Sequence, residues 1–281
     1  MNEKLEMRVY GDASLPTLIY LPGLHGDWTL VGSFRRALGG RVRFVEMTYP
    51  RTLVWSLDDY AQAIEAALAE RGIARGWLLG ESFGSQVLWS LVARSRFQID
   101  AVILAGGFVR HPMRWAVRLA GRLSGGLSHS FITRVLFGYA KVARFRYRRS
   151  PEVRASIREF IERRTPLDIQ AANHRLQLIA QNDLRPVARQ ACLPIYALTG
   201  FMDPVVPWWF VRPWLRKHCR AHHEYRIMWR ADHNVLGTAA QPAAEQIVRW
   251  MREAPSSASA PTASPRGRAA SGGPPTTSSP S

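Results

Sequence analysis

A mostly parallel β-sheet covered on both faces by helices, an α/β fold of the doubly wound type, is the architecture this sequence predicts. Three observations carry the prediction. Short apolar runs bounded by Gly and Pro alternate with stretches of helical spacing. One of those runs ends in Gly80-Glu81-Ser82-Phe83-Gly84, the pattern of a tight strand-to-helix turn. The length of 281 residues, 47% of them hydrophobic, suits one sizeable core and does not require two.

Along the chain, Thr17–Pro22 is an apolar run that ends in Pro22-Gly23, a buried strand feeding a turn. Arg41–Met47 alternates polar and apolar residues, as a partly covered strand does. Ser56 caps a helix, with Asp58 and Asp59 at the positive end of its dipole. Leu57, Ala61, Ile64 and Leu68 then recur on one face until Gly72 ends it. Gly76–Gly80 reads as a strand and Gln86–Ala93 as the helix after the turn. Ala101–Ala105 and Leu193–Thr199 read as buried strands, Glu224–Trp229 as an alternating one, and Pro242–Met251 as a closing amphipathic helix.

From Phe108 to about Ala191 the spacing is helical, interrupted at Gly125-Gly126, Pro151 and Pro166, with no strand. The expected organisation is therefore a core formed by residues 1–108 and 191–252, with residues 109–190 inserted as a helical cap over one end of the sheet. Residues 253–281, rich in Pro, Ser and Ala and without aromatic or branched aliphatic side chains, are expected to be a disordered tail.

Thirty-eight Lys and Arg against 21 Asp and Glu give a net charge of +17, yet only three of the 38 are lysines. An arginine-favouring composition accounts for that. The arginines are spread along the chain without an RNA-binding aromatic box, zinc spacing or basic arm, so no specific nucleic-acid partner is expected. Acids are nevertheless sparse from Arg110 to Arg189, where seventeen basic residues face five acids. Such a cap suits an anionic partner beside the active-site mouth, an acidic acyl-carrier protein or an anionic membrane surface, or else is simply a solvated face. Arg114, Arg118 and Arg122, with Trp115, Leu119 and Leu123 close by, pose the same choice on one helix. Specificity is expected to be set by the cap and by aromatic residues such as Trp208, Trp209 and Phe210, although rings of this kind more often pack in the core or cap than touch substrate. No apolar run approaches bilayer-spanning length, and the N-terminus lacks a secretory signal. Cys192 and Cys219 form no disulfide framework or metal pattern, so a cytoplasmic setting is expected.

The chemistry concentrates at Ser82. A serine on that turn is held at the sheet edge, at the N-terminus of the following helix, as a nucleophile. It needs a base and an orienting acid, expected after later strands. Asp203 lies just past one strand, in a loop stiffened by Pro204 and Pro207, and His233 follows the last strand. The order Ser…Asp…His is the one this turn requires. Asp232 and Asp183 are rival acids, the first disfavoured because neighbours in an extended loop point apart. His222-His223 lacks a further metal ligand at suitable spacing, so no metal is expected. The oxyanion would be received by the backbone N–H of Phe83 and by that of Leu24, beside the small Gly23.

These motifs, Leu21-Pro-Gly-Leu-His-Gly26, Gly80-Glu-Ser-Phe-Gly84, Asp203 and His233, make the chain resemble a capped member of the α/β-hydrolase superfamily from about Leu15 to Met251. The resemblance implies a cofactor-free serine hydrolase acting on an ester, thioester or similar acyl bond. Acyl transfer and cofactor-free haloperoxidase chemistry use the same triad and stay open, as does a non-catalytic binding protein that kept the fold. Serine at the elbow argues against the relatives that use aspartate there to cleave carbon–halogen bonds or epoxides. Two features depart from the common pattern. Many relatives have His-Gly where Pro22-Gly23 stands here, which leaves Leu24 and Asp27 as alternative oxyanion donors, and Ser85 replaces a common glycine.

Overall fold

A computed structural model describes residues 4–119 and 151–254. The expected tail from residue 255 onward, Arg122, Leu123 and the Gly125-Gly126 break lie outside those residues. Seven strands form one sheet: β1 (Glu6–Tyr10), β2 (Thr17–Leu21), β3 (Arg43–Thr48), β4 (Arg75–Glu81), β5 (Gln98–Ala105), β6 (Ile195–Gly200) and β7 (His222–Met228). Their order is β1-β3-β2-β4-β5-β6-β7. All pairings are parallel except that of β1 with β3, where Val9 faces Val45. Strand β1 was not anticipated. It is an edge strand in which only Met7 and Val9 pack toward the core, so its apolar signal is weak.

Period-two alternation splits the central strands between two apolar layers. Ile19, Leu21, Leu78 and Leu104 face α2 (Leu57–Glu70) and α3 (Gly84–Arg94). Leu18, Tyr20, Leu79 and Ile103 face α1 (Gly32–Leu38) and the C-terminal helices. This double coverage makes the inner strands read as continuous apolar runs. Helix α2 begins with the expected Ser56 cap, in a reciprocal box with Asp59, and buries Leu57, Ala61, Ile64 and Leu68. Burying a side chain such as Ile64 contributes about 1.5–3 kcal/mol.

Between β5 and β6 the described residues contain helices and loops only: residues 114–119, α4 (Pro151–Glu162), α5 (Pro166–Gln181) and α6 (Arg185–Gln190). Pro166 starts a helix instead of interrupting one, and Pro151 is the first described residue of α4. Thr165 caps α5 in a box with Asp168, and Pro166 occupies a first-turn position where no N–H is needed. Leu178, Ile179 and Ala188 join the apolar layer that contains α2 and α3.

After β6 comes α7 (Trp208–His218), which sequence reading missed because it lacks a side-chain cap and carries Pro213 inside it. Helices α8 (Val235–Thr238) and α9 (Ala240–Glu253) close the chain, so the ordered core passes residue 252 by at least one residue. Among the described residues, no helix is long and apolar enough to cross a membrane.

Candidate active site

Strand β4 turns into α3 through Ser82, whose φ of +49° is a conformation non-glycine residues rarely hold. Close packing imposes it. A Cβ on Gly84 would sit 2.0 Å from the Leu21 carbonyl oxygen, so α3 can approach the end of β2 only with glycine there. The Ser85 hydroxyl lies 2.6 Å from Ser82 O and 2.9 Å from Phe108 O, and accepts the Phe108 N–H at 3.0 Å. The residue that departs from the usual glycine thus ties the elbow to the segment after β5.

The three predicted side chains meet. His233, in the loop after β7, places Nε2 2.9 Å from Ser82 Oγ and Nδ1 2.8 Å from Asp203 Oδ2. Asp203 Oδ1 accepts the N–H groups of Val205 at 2.8 Å and Val206 at 2.9 Å, which fixes the carboxyl plane. That arrangement puts the ring proton on Nδ1 and leaves Nε2 to accept from serine. Burial alone would favour neutral His233. The charge and hydrogen bond of Asp203, aided by Glu81 and Asp232, outweigh it and raise the pKa above histidine's ordinary value.

Neither rival acid reaches the ring. Asp232 Oδ1 accepts from Asn234 N at 3.1 Å and Thr238 Oγ1 at 3.3 Å, a turn-forming role. Asp183 pairs with Arg185 and, at 3.5 Å, with Arg110. His222 and His223 lie on β7, with His223 stacked on Tyr196, and no cluster among the described residues could hold a metal ion.

The expected oxyanion donors are the N–H groups of Phe83 and Leu24, the first of them next to the serine. Phe83 follows it directly, and the loop bearing Leu24 passes beside the elbow: a Cβ on Gly23 would lie 3.5 Å from Glu81 O. Among the described residues, neither N–H has a hydrogen-bond acceptor. The backbone N–H of Asp27, the alternative donor, likewise has no acceptor among the described residues, while its side chain accepts from Thr29 N at 3.0 Å and pairs with Arg164.

Sequence reading missed the groups that hold this loop. Arg175 of α5, wholly buried, donates to Leu24 O at 2.8 Å and Pro50 O at 3.1 Å. A Cβ on Gly26 would collide with its guanidinium at 2.6 Å. Arg164, just after α4, donates to His25 O at 3.1 Å and to the Asp27 carboxyl. Two arginines from the inserted segment therefore clamp the loop beside Ser82. Beneath the serine, the Tyr20 hydroxyl donates to Glu81, a buried pair equally invisible in the sequence. Only the excess of arginine in residues 109–190 hinted at such roles.

A doubly covered, mostly parallel sheet with a strained serine turn after its fourth strand defines an α/β hydrolase. The family model described as serine aminopeptidase, S33, matches residues 48–238, and the chain belongs to that family. Solved structures agree in fold. A thermophilic esterase from Thermogutta terrifontis superposes with a TM-score of 0.74 at 18% identity, over 89% of this chain and 93% of that one. An enol-lactonase from Burkholderia xenovorans LB400 gives 0.72 at 18% identity, over 89% and 96%. A hydrolase from Pseudomonas aeruginosa PA01 gives 0.74 at 15% identity, over 88% and 94%. No curated protein sequence is significantly similar to the chain.

Proposed function

We propose that the protein cleaves a carboxylic ester or thioester through an acyl-enzyme on Ser82. The observation that carries this reading is the pair of aligned hydrogen bonds from Ser82 Oγ to His233 Nε2 and from His233 Nδ1 to Asp203 Oδ2. His233 takes the serine proton as Oγ attacks the carbonyl carbon and the C=O electrons move onto oxygen, where the N–H groups of Leu24 and Phe83 receive them. When the carbonyl reforms, the leaving alkoxide or thiolate takes the proton from His233 and departs as alcohol or thiol. Water, deprotonated by the same imidazole, then releases the acid and restores Ser82. None of these steps calls on a cofactor.

The family description names an aminopeptidase, and that reaction would need a carboxylate to hold the free amine. Asp203 is engaged by His233, and the exposed charges on α7, next to its loop, are cationic: Arg216 and Lys217. The ester reading is preferred because it is the chemistry named for the Thermogutta neighbour.

The test is a panel of p-nitrophenyl esters of increasing acyl length, with one thioester. Turnover should disappear in step with labelling by one equivalent of a fluorophosphonate, whereas hydrolysis that survives complete labelling would overturn the assignment. A pH series adds a second check. Only neutral His233 accepts the serine proton, and its pKa is raised, so kcat/KM should fall in acid through a limb above ~6.5. A limb well below that value would contradict the raised pKa of His233, and the absence of any acid limb would exclude it as the base.

A further inference from the structure

The loops that carry Asp203 and His233 also carry a row of exposed aromatic rings. Trp209 is 52% exposed, Phe210 57% and Trp229 70%. The rings form a run: Phe201 lies 4.6 Å from Trp229 and 6.0 Å from Trp208, and Trp208 lies 5.8 Å from Trp209. Met202 and Val205, also exposed, extend the surface along the Asp203 loop. Water-facing apolar groups in such number mark an interaction surface.

Charge identifies the partner. Trp208 and Trp209 share one open groove on α7 with Arg212, Pro213, Arg216 and Lys217. Between residues 204 and 220 the chain has four basic residues and no acid. Among the described residues, no carboxylate pairs with Arg212, Arg216 or Lys217. The flanking acids are engaged elsewhere: Asp203 is buried against His233, and Glu224 pairs with Arg226 and accepts the Trp250 Nε1–H at 2.6 Å. Exposed Trp and Phe beside unneutralised cations match a bilayer interface, where rings settle at headgroup depth and cations meet lipid phosphates.

We propose that this face, formed by Phe201, Trp209, Phe210 and Trp229 with Arg216 and Lys217, docks the enzyme on an anionic phospholipid surface. Docking there brings the loops that carry Asp203 and His233, which also bear Phe201 and Trp229, against the bilayer, so the acyl substrates of the proposed reaction would be lipid-borne. The docking itself is independent of the hydrolytic reading, whereas the choice of substrate rests on it.

Flotation of the full chain with vesicles tests the docking, using Ser82→Ala protein so that catalysis plays no part. Binding to phosphatidylcholine vesicles containing phosphatidylglycerol is expected, with little binding to phosphatidylcholine alone. Arg216→Glu/Lys217→Glu and Trp209→Ala/Phe210→Ala should each weaken that binding by at least about tenfold. Both pairs lie on the surface, so short-ester turnover by the otherwise wild-type chain reports that they remain folded. Absence of binding to the anionic vesicles at low salt, or undiminished binding by both variants, would overturn the proposal. So would capture by an acidic acyl-carrier protein in place of vesicles. Vesicle binding without esterase activity would instead sink the hydrolytic reading and leave the docking face standing.

Discussion

Ser82→Ala is expected to lower kcat for a short ester roughly a million-fold, and Asp203→Asn about ten-thousand-fold. In the proposed reaction the serine supplies the attacking oxygen, and the residual rate would come from what the oxyanion donors and substrate binding achieve alone. Asp203 acts through His233, to which it is bonded at 2.8 Å. An amide at that position removes the charge that raises the imidazole pKa, so the acid limb of the surviving activity should move to lower pH. Asp232→Asn should leave kcat close to wild type, because its contacts are to Asn234 and Thr238. The measurement is kcat and kcat/KM across pH for the three variants, with circular dichroism to confirm folding. A larger loss for Asp232→Asn than for Asp203→Asn would reassign the acid.

Arg175→Met is expected to be the most damaging change outside the three reacting side chains. It strips the buried Pro50 O and the part-buried Leu24 O of their donors. A buried orphaned acceptor costs about 1–3 kcal/mol and one that water can reach costs less, so the variant should lose roughly 1–4 kcal/mol of unfolding free energy. That is a large share of the 5–15 kcal/mol typical of a whole domain. The loop that carries the Leu24 N–H would also lose its clamp. A displacement of about 1 Å at a catalytic donor costs roughly a hundredfold in rate. Arg175→Lys keeps the charge but cannot span both carbonyls in the same fork, and should fall between wild type and Met. Urea unfolding and kcat below the transition check both effects. Wild-type stability together with wild-type kcat in Arg175→Met would show that the clamp carries no weight.

The elements legible in the sequence were those whose causes lie within a few residues. The α2 cap is such a case, since Ser56 and Asp59 bond each other across one turn. The elbow is another: its glycines and serine are fixed by sterics between adjacent elements. Strand β1 and helix α7 were not legible. The first owes its state to pairing with β3, and the second forms despite an internal proline and without a cap. Trp209 and Phe210 have the composition of core residues, and only their placement on the outer face of α7 reveals them as exposed. That exposure corrects the expectation that they pack in the core or cap.

The sequence by itself determined the α/β class, the serine turn and the chain order of serine, acid and base, because hydrophobic period and turn chemistry are local properties of the backbone. The tertiary structure alone decided which groups meet. Ser82 and His233 stand 151 residues apart and His233 and Asp203 thirty, and a pattern in one segment does not report where a distant one returns. The burial of Arg175 against the loop beside Ser82 is of the same kind. An arginine reads as a solvated charge in any local window, and only the approach of α5 to the end of β2 removes it from water and gives its guanidinium two carbonyls to hold.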